Sequence, residues 1–192
     1  MRLLTIVAQN DNELQIPLNP PFSKGEKKGK RRKKMAEAMA KEDPKVLIIE
    51  RVFDAPREDV FKAWTDHQLL MEWFCCKGFK VVSAEVDLRV GGAWRSSMES
   101  PEGNVYTEAG VYQEIAPPER LVMTWAWEAL GGGEEHQIGY ETLVTVNFES
   151  YEGNKTKMHF KQEIFESIES RDSHNQGWSE SFDNLDVYLG RG

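Results

Sequence analysis

The chain has 192 residues, a net charge of −8, 40% hydrophobic and 29% charged residues, which fits one globular domain with an appendage. The charge is unevenly divided: residues 1–34 hold nine basic and three acidic residues (+6), and the other 158 hold 15 basic and 29 acidic ones (−14). An acidic body repels phosphate and anionic lipid, which excludes nucleic acid as its partner, and no run of 18 apolar residues is present to form a membrane helix.

The basic excess sits in "FSKGEKKGKRRKKM", after the proline-rich "QIPLNPPF". Residues 1–44 carry no apolar period and read as a disordered, basic and Pro-rich leader. Purine-rich codons encode chiefly Lys, Arg, Glu and Gly, as a ribosome-binding leader read in frame would. "IPLNPPFSKGEKKG" also resembles a translated intergenic repeat of bacterial genomes. We therefore expect translation to start at Met35 or Met39 and a folded domain over 45–192. A solvated tail and a basic binding arm are the other two readings. The opening lacks a signal-peptide pattern, so the expected compartment is the cytoplasm, and the adjacent Cys75 and Cys76 imply thiols rather than a disulfide framework.

Within the domain, "KVLIIERVFD" (45–54) reads as a strand. "APREDVFKAWTD" reads as a helix, with Pro56 in its first turn and Glu58 and Asp59 at its positive end. A second short helix covers 67–74. Strands are predicted over 79–88, 93–99, 105–115, 120–127, 141–148 and 156–163, separated by turns rich in Gly, Pro and Asn. Such short connections give an antiparallel meander. The chain closes with a helix near 171–189, where Trp178, Phe182, Leu185 and Leu189 form one apolar stripe. That stripe needs a surface to bury against, and the sheet is the only large one. The fold class is α+β, with six or so twisted strands curled around the last helix.

"RVFDAPREDVFKAWTD", "DLRVGGAWRSSMESPEGN", "GVYQEIAPPERLVMTW", "TLVTVNF" and "GWSESFDNLDVYL" resemble, in order over residues 45–190, the family of activators of the heat-shock chaperone ATPase. That family belongs to the START/Bet v-like, or SRPBCC, helix-grip superfamily. The resemblance implies a hydrophobic cavity between the curved sheet and the last helix. Residues fitting such a lining are Trp73, Trp94, Met98, Met123, Trp125, Trp178 and Phe182. Trp94, Ser96 and Met98 share one strand face, as do Leu121, Met123, Trp125 and Trp127 on another. "CCKG" after Trp73-Phe74 departs from the Trp-Trp-Gly-Pro more usual in the family, so relatives' ligand preferences do not transfer.

For catalysis, the sequence has no Gly-rich phosphate loop, G-x-S-x-G elbow or H-E-x-x-H. Glu134, Glu135 and His136 are too close in sequence to hold one metal ion well, so neither metal nor cofactor is expected. Glu108 and Glu114 fall on one strand face with Tyr106 and Tyr112, directed either into the cavity or to solvent. The reading is a monomer or weak homodimer that binds a small apolar or amphipathic ligand. A co-chaperone-like module docking on a chaperone or other protein is the alternative, although the N-terminal domain of the eukaryotic activators is absent. A cyclase- or hydrolase-like enzyme ranks third.

Overall fold

A computed structural model describes residues 43–129 and 137–190. The expected leader, up to residue 42, and the Glu134-Glu135-His136 loop lie outside the described residues. Strand β1 (Leu47–Phe53) leads into helices α1 (Arg57–Thr65) and α2 (His67–Trp73). Strands β2 (Lys80–Val86), β3 (Ala93–Glu99), β4 (Val105–Ala116), β5 (Arg120–Ala129), β6 (Gln137–Ile138), β7 (Thr142–Tyr151) and β8 (Lys155–Glu163) follow, and α3 (Ile168–Leu189) ends the order. The predicted elements are all present within a few residues. The addition is β6, a two-residue strand on β5 in what the Gly-rich sequence suggested was all turn.

The eight-stranded sheet runs β1-β8-β7-β5-β4-β3-β2, with β6 off this path on β5, and every pairing is antiparallel. Alternation is cleanest on β7 and β8, where Val144, Val146, Phe148, Met158 and Phe160 point inward. Leu47 of β1 and Val81 of β2, from opposite edges of the sheet, share one core with Trp178, Phe182 and Leu185 of α3. A flat sheet could not bring both edges to one helix. The sheet curls around α3, and the fold is the α+β helix-grip fold.

Local chemistry sets the element ends. Asp66 caps α2 by accepting from the backbone N–H groups of Gln68 (2.9 Å) and Leu69 (3.4 Å), and Ser167 caps α3 through the Ser170 N–H at 3.1 Å. Between α2 and β2 the chain turns at Gly78, whose φ of +86° favours glycine. The predicted common face of β4 is divided by an irregularity between Tyr112 and Glu114, where the pairing with β5 slips by one residue. Glu108 and Tyr112 therefore point inward, whereas Glu114 faces outward to Arg120 (3.0 Å) and Tyr106 is 41% exposed. His159 lies on the outer face, between Glu50 (2.8 Å) and Glu149 (3.4 Å).

Candidate functional site

Beneath α3 the aromatic residues form two zones, one closed and one open. In the closed zone Trp64 lies among Trp73 (5.1 Å between ring centroids), Trp178 (5.8 Å), Phe182 (6.0 Å) and Phe160 (6.3 Å). The Trp73 indole donates to the Ala63 carbonyl at 3.0 Å. This is dense core, worth several kcal/mol per large side chain.

The open zone is a cavity of about 120 Å³ between β3–β5 and the first half of α3. Met98 of β3, Glu108 of β4 and Trp125 and Trp127 of β5 supply the sheet side. His174, Gly177, Trp178 and Ser181 share one face of α3, by their three- and four-residue spacing, and supply the other. Phe74 and Cys76 close the end. Their loop is clasped by α3: Ser181 Oγ donates to the Cys75 carbonyl (3.1 Å), Asn184 Nδ2 to the same oxygen (2.9 Å), and the Lys77 N–H to Glu180 (3.0 Å).

Among the residues expected to line a cavity, Met98, Trp125 and Trp178 do so. Trp73, Trp94, Met123 and Phe182 instead lie in the closed core. Trp94 is held there by its indole, which crosses Gly110 to donate to the Thr124 carbonyl at 3.2 Å. Strand parity identifies which face is inward, but not whether the space over a residue is filled. His174, Gly177 and Ser181 were not singled out, although His174 stands four residues before Trp178 on the same stripe.

The polar groups of the cavity are few. Glu108 is 5% exposed, and its Oε2 accepts from the Trp125 indole N–H at 2.7 Å, its only hydrogen bond among the described residues. Burial pushes this carboxyl up to about 8, with the Trp125 bond opposing weakly. Among the described residues no Lys or Arg lines the cavity. His174 donates from Nδ1 to the Ser170 carbonyl at 2.7 Å, which leaves Nε2 as the bare nitrogen, buried and without a partner. Burial lowers the pKa of this ring, so it is neutral at pH 7. The Cys76 thiol is pushed up to about 11 by burial and by the nearby Glu108 and Glu180 carboxylates, and Cys75 is raised as well. These are not activated nucleophiles.

The lining is fixed from behind by a hydrogen-bonded chain. The Trp178 indole donates to Gln162 Oε1 (2.7 Å), Gln162 Nε2 to Thr142 Oγ1 (2.8 Å), and Thr142 Oγ1 to the Trp125 carbonyl (2.9 Å). Gln162 is wholly buried and has both ends satisfied. The two indoles on opposite walls are thereby tied through β7 and β8. Among the described residues no cluster of His, Cys, Asp and Glu could hold a metal ion, and no helix is long and apolar enough to cross a membrane.

Known structures share this architecture. A putative uncharacterized protein from Rhizobium leguminosarum is 27% identical with a TM-score of 0.61, over 77% of this chain and 95% of that one. The AHSA1 protein from Silicibacter pomeroyi is 25% identical with a TM-score of 0.67, over 76% and 97%. A protein from Arthrobacter aurescens, at 23% identity and a TM-score of 0.68 over 77% and 87%, shares the fold. No curated protein matches the chain. The family model described as Activator of Hsp90 ATPase homolog 1-like protein matches residues 54–190. Family and fold support a ligand-binding or co-chaperone-type module in general terms. The chain belongs to the Activator of Hsp90 ATPase homolog 1-like family.

Proposed function

We propose that this protein is a small-molecule-binding module whose cavity takes a ligand with an apolar or aromatic body about one ring in size. The observation that carries this reading is the open space itself, about 120 Å³ walled by Phe74, Met98, Trp125, Trp127 and Trp178 in a molecule otherwise densely packed. Interiors close-pack unless something keeps a void open, and an apolar cavity of roughly 150 Å³ suffices for benzene. Glycine at position 177 supports the reading. It sits inside a 22-residue helix, where glycine costs about 1 kcal/mol relative to alanine, and a side chain there would project toward Cys76 and the cavity. The lining resembles a binding pocket, with an apolar body and very few polar groups to orient a ligand. Met98, Trp125 and Trp178 are the anchoring residues, and Glu108 is the orienting one.

Toluene, titrated while the indole N–H resonances of Trp125 and Trp178 are followed by NMR, tests this. Saturable shifts at both are expected, and Gly177→Leu should weaken them at least about tenfold while the melting temperature stays near that of the parent. Absence of saturable shifts in the parent, or equal shifts in the variant, would overturn the proposal.

A further inference from the structure

Resting on that binding function, we propose that the ligand's polar end is an amine: the cavity selects a small aryl- or alkylammonium cation, with the Glu108 carboxylate as its counter-ion. Four observations converge. Among the described residues Glu108 is the one acidic side chain lining the cavity, and its burial is almost complete. It is engaged only through Oε2, by Trp125, so the capacity of Oε1 for charged donors is unused. Among the described residues no cation faces it. The described groups around it are Ser96, its partner on β3, the neutral His174 on α3, the protonated thiols of Cys75 and Cys76, and Trp125 and Trp127 on β5. Finally, three indoles line the same space, and indole attracts cations more strongly than the other aromatic side chains. The −14 charge of residues 35–192 draws cations toward the mouth from a distance.

The arrangement also sets what is rejected. A carboxylate ligand would bury its own charge with no Lys or Arg among the described residues to compensate it, whether Glu108 is protonated or not. A neutral alcohol would exchange one neutral hydrogen bond with the protonated carboxyl and gain no charge-assisted one. In the free protein Glu108 carries a proton, because its carboxyl titrates near 8. An ammonium ion that binds below that pH displaces this proton to solvent, and at pH 7 the displacement reduces affinity about tenfold. Binding is thus coupled to release of nearly one proton, a signature that simple burial of an apolar body lacks.

Benzylamine, benzyl alcohol and benzoate share one ring and differ only at the polar end, so they separate the possibilities. Calorimetric titration at pH 7 in two buffers of different ionisation enthalpy should show benzylamine binding about tenfold tighter than benzyl alcohol, with close to one proton released. Benzoate should not bind measurably. In Glu108→Gln, benzylamine should lose its advantage over benzyl alcohol and its proton release. If benzyl alcohol binds as well as benzylamine without proton release in the parent, Glu108 is a neutral hydrogen-bond donor and the amine proposal falls, while the binding function stands. Tightest binding by benzoate also overturns it. If none of the three binds, both readings fall together.

Discussion

Substituting Glu108 by Gln should flatten the pH dependence of folding stability between pH 6.5 and 8.5. The amide keeps the shape of the side chain and an oxygen to accept from Trp125, but cannot ionise. In the native protein the carboxyl titrates near 8, against an ordinary value of 4.5. A carboxyl raised on folding holds its proton in the native state where the unfolded chain has released it. Stability therefore falls as pH rises from about 4.5 to 8 and levels off above, the opposite of a salt-bridged carboxylate. Within pH 6.5–8.5 the loss integrates to about 2 kcal/mol for the parent relative to the variant. The window matters because His174 is depressed by burial. Its contribution is lost as pH falls below the ordinary histidine value, so it opposes the Glu108 trend only at the acid end. Urea denaturation of both proteins at half-unit pH steps gives the difference curve directly. Parallel curves would refute the argument, because Glu108 would then be solvated or paired in solution.

Two further outcomes follow from the same geometry. A Cβ at Gly110 would stand 1.9 Å from the Thr124 carbonyl oxygen and 2.7 Å from the Trp94 indole nitrogen, so Gly110→Ala should lower stability by about 3 kcal/mol in urea denaturation. An unchanged midpoint would mean that the β3–β4–β5 register is wrong. The Cys76 thiol, raised to about 11 from 9.0, should react with iodoacetamide at pH 8 about a hundredfold more slowly in the native protein than in urea. Equal rates would show that the loop under α3 opens freely.

The order of elements was legible because each carries its own period: alternation over 141–148 and 156–163, a 3.6-residue stripe from Trp178 to Leu185. The curl of the sheet followed from that stripe needing cover. The site was less legible. Trp94 and Met98 occupy the same strand face two turns of alternation apart, yet one is sealed over Gly110 and the other borders the cavity. Whether a buried side chain meets another or meets space depends on α3 and on the Cys75–Cys76 loop, which are far away in sequence. Glu108 was visible as a residue that faced either inward or outward. The one-residue slip after Tyr112 turned Glu114 away from the face that Glu108 and Tyr112 share, and nothing in "GVYQEI" announces a slip.

Several departures from good packing border the cavity. Elsewhere most core polar groups are paired, with Gln162 satisfied at both ends and Trp73 bonded to Ala63, the Trp64 indole nitrogen being an exception. Among the described residues Glu108 is buried without a counter-charge, the His174 Nε2 and the Oγ of Ser96, the β3 neighbour of Glu108, have no partner, and a helix interior carries Gly177. Each lowers stability by roughly 1 kcal/mol or more. Any of them is readily removed: leucine for the carboxylate, alanine for the serine or the glycine. Glu108, His174 and Gly177 all line the cavity, and such a grouping is the pattern expected where stability has been given up for a ligand. The ligand would then restore part of what the empty cavity lacks, so bound benzylamine should raise the melting temperature as well as occupy the site.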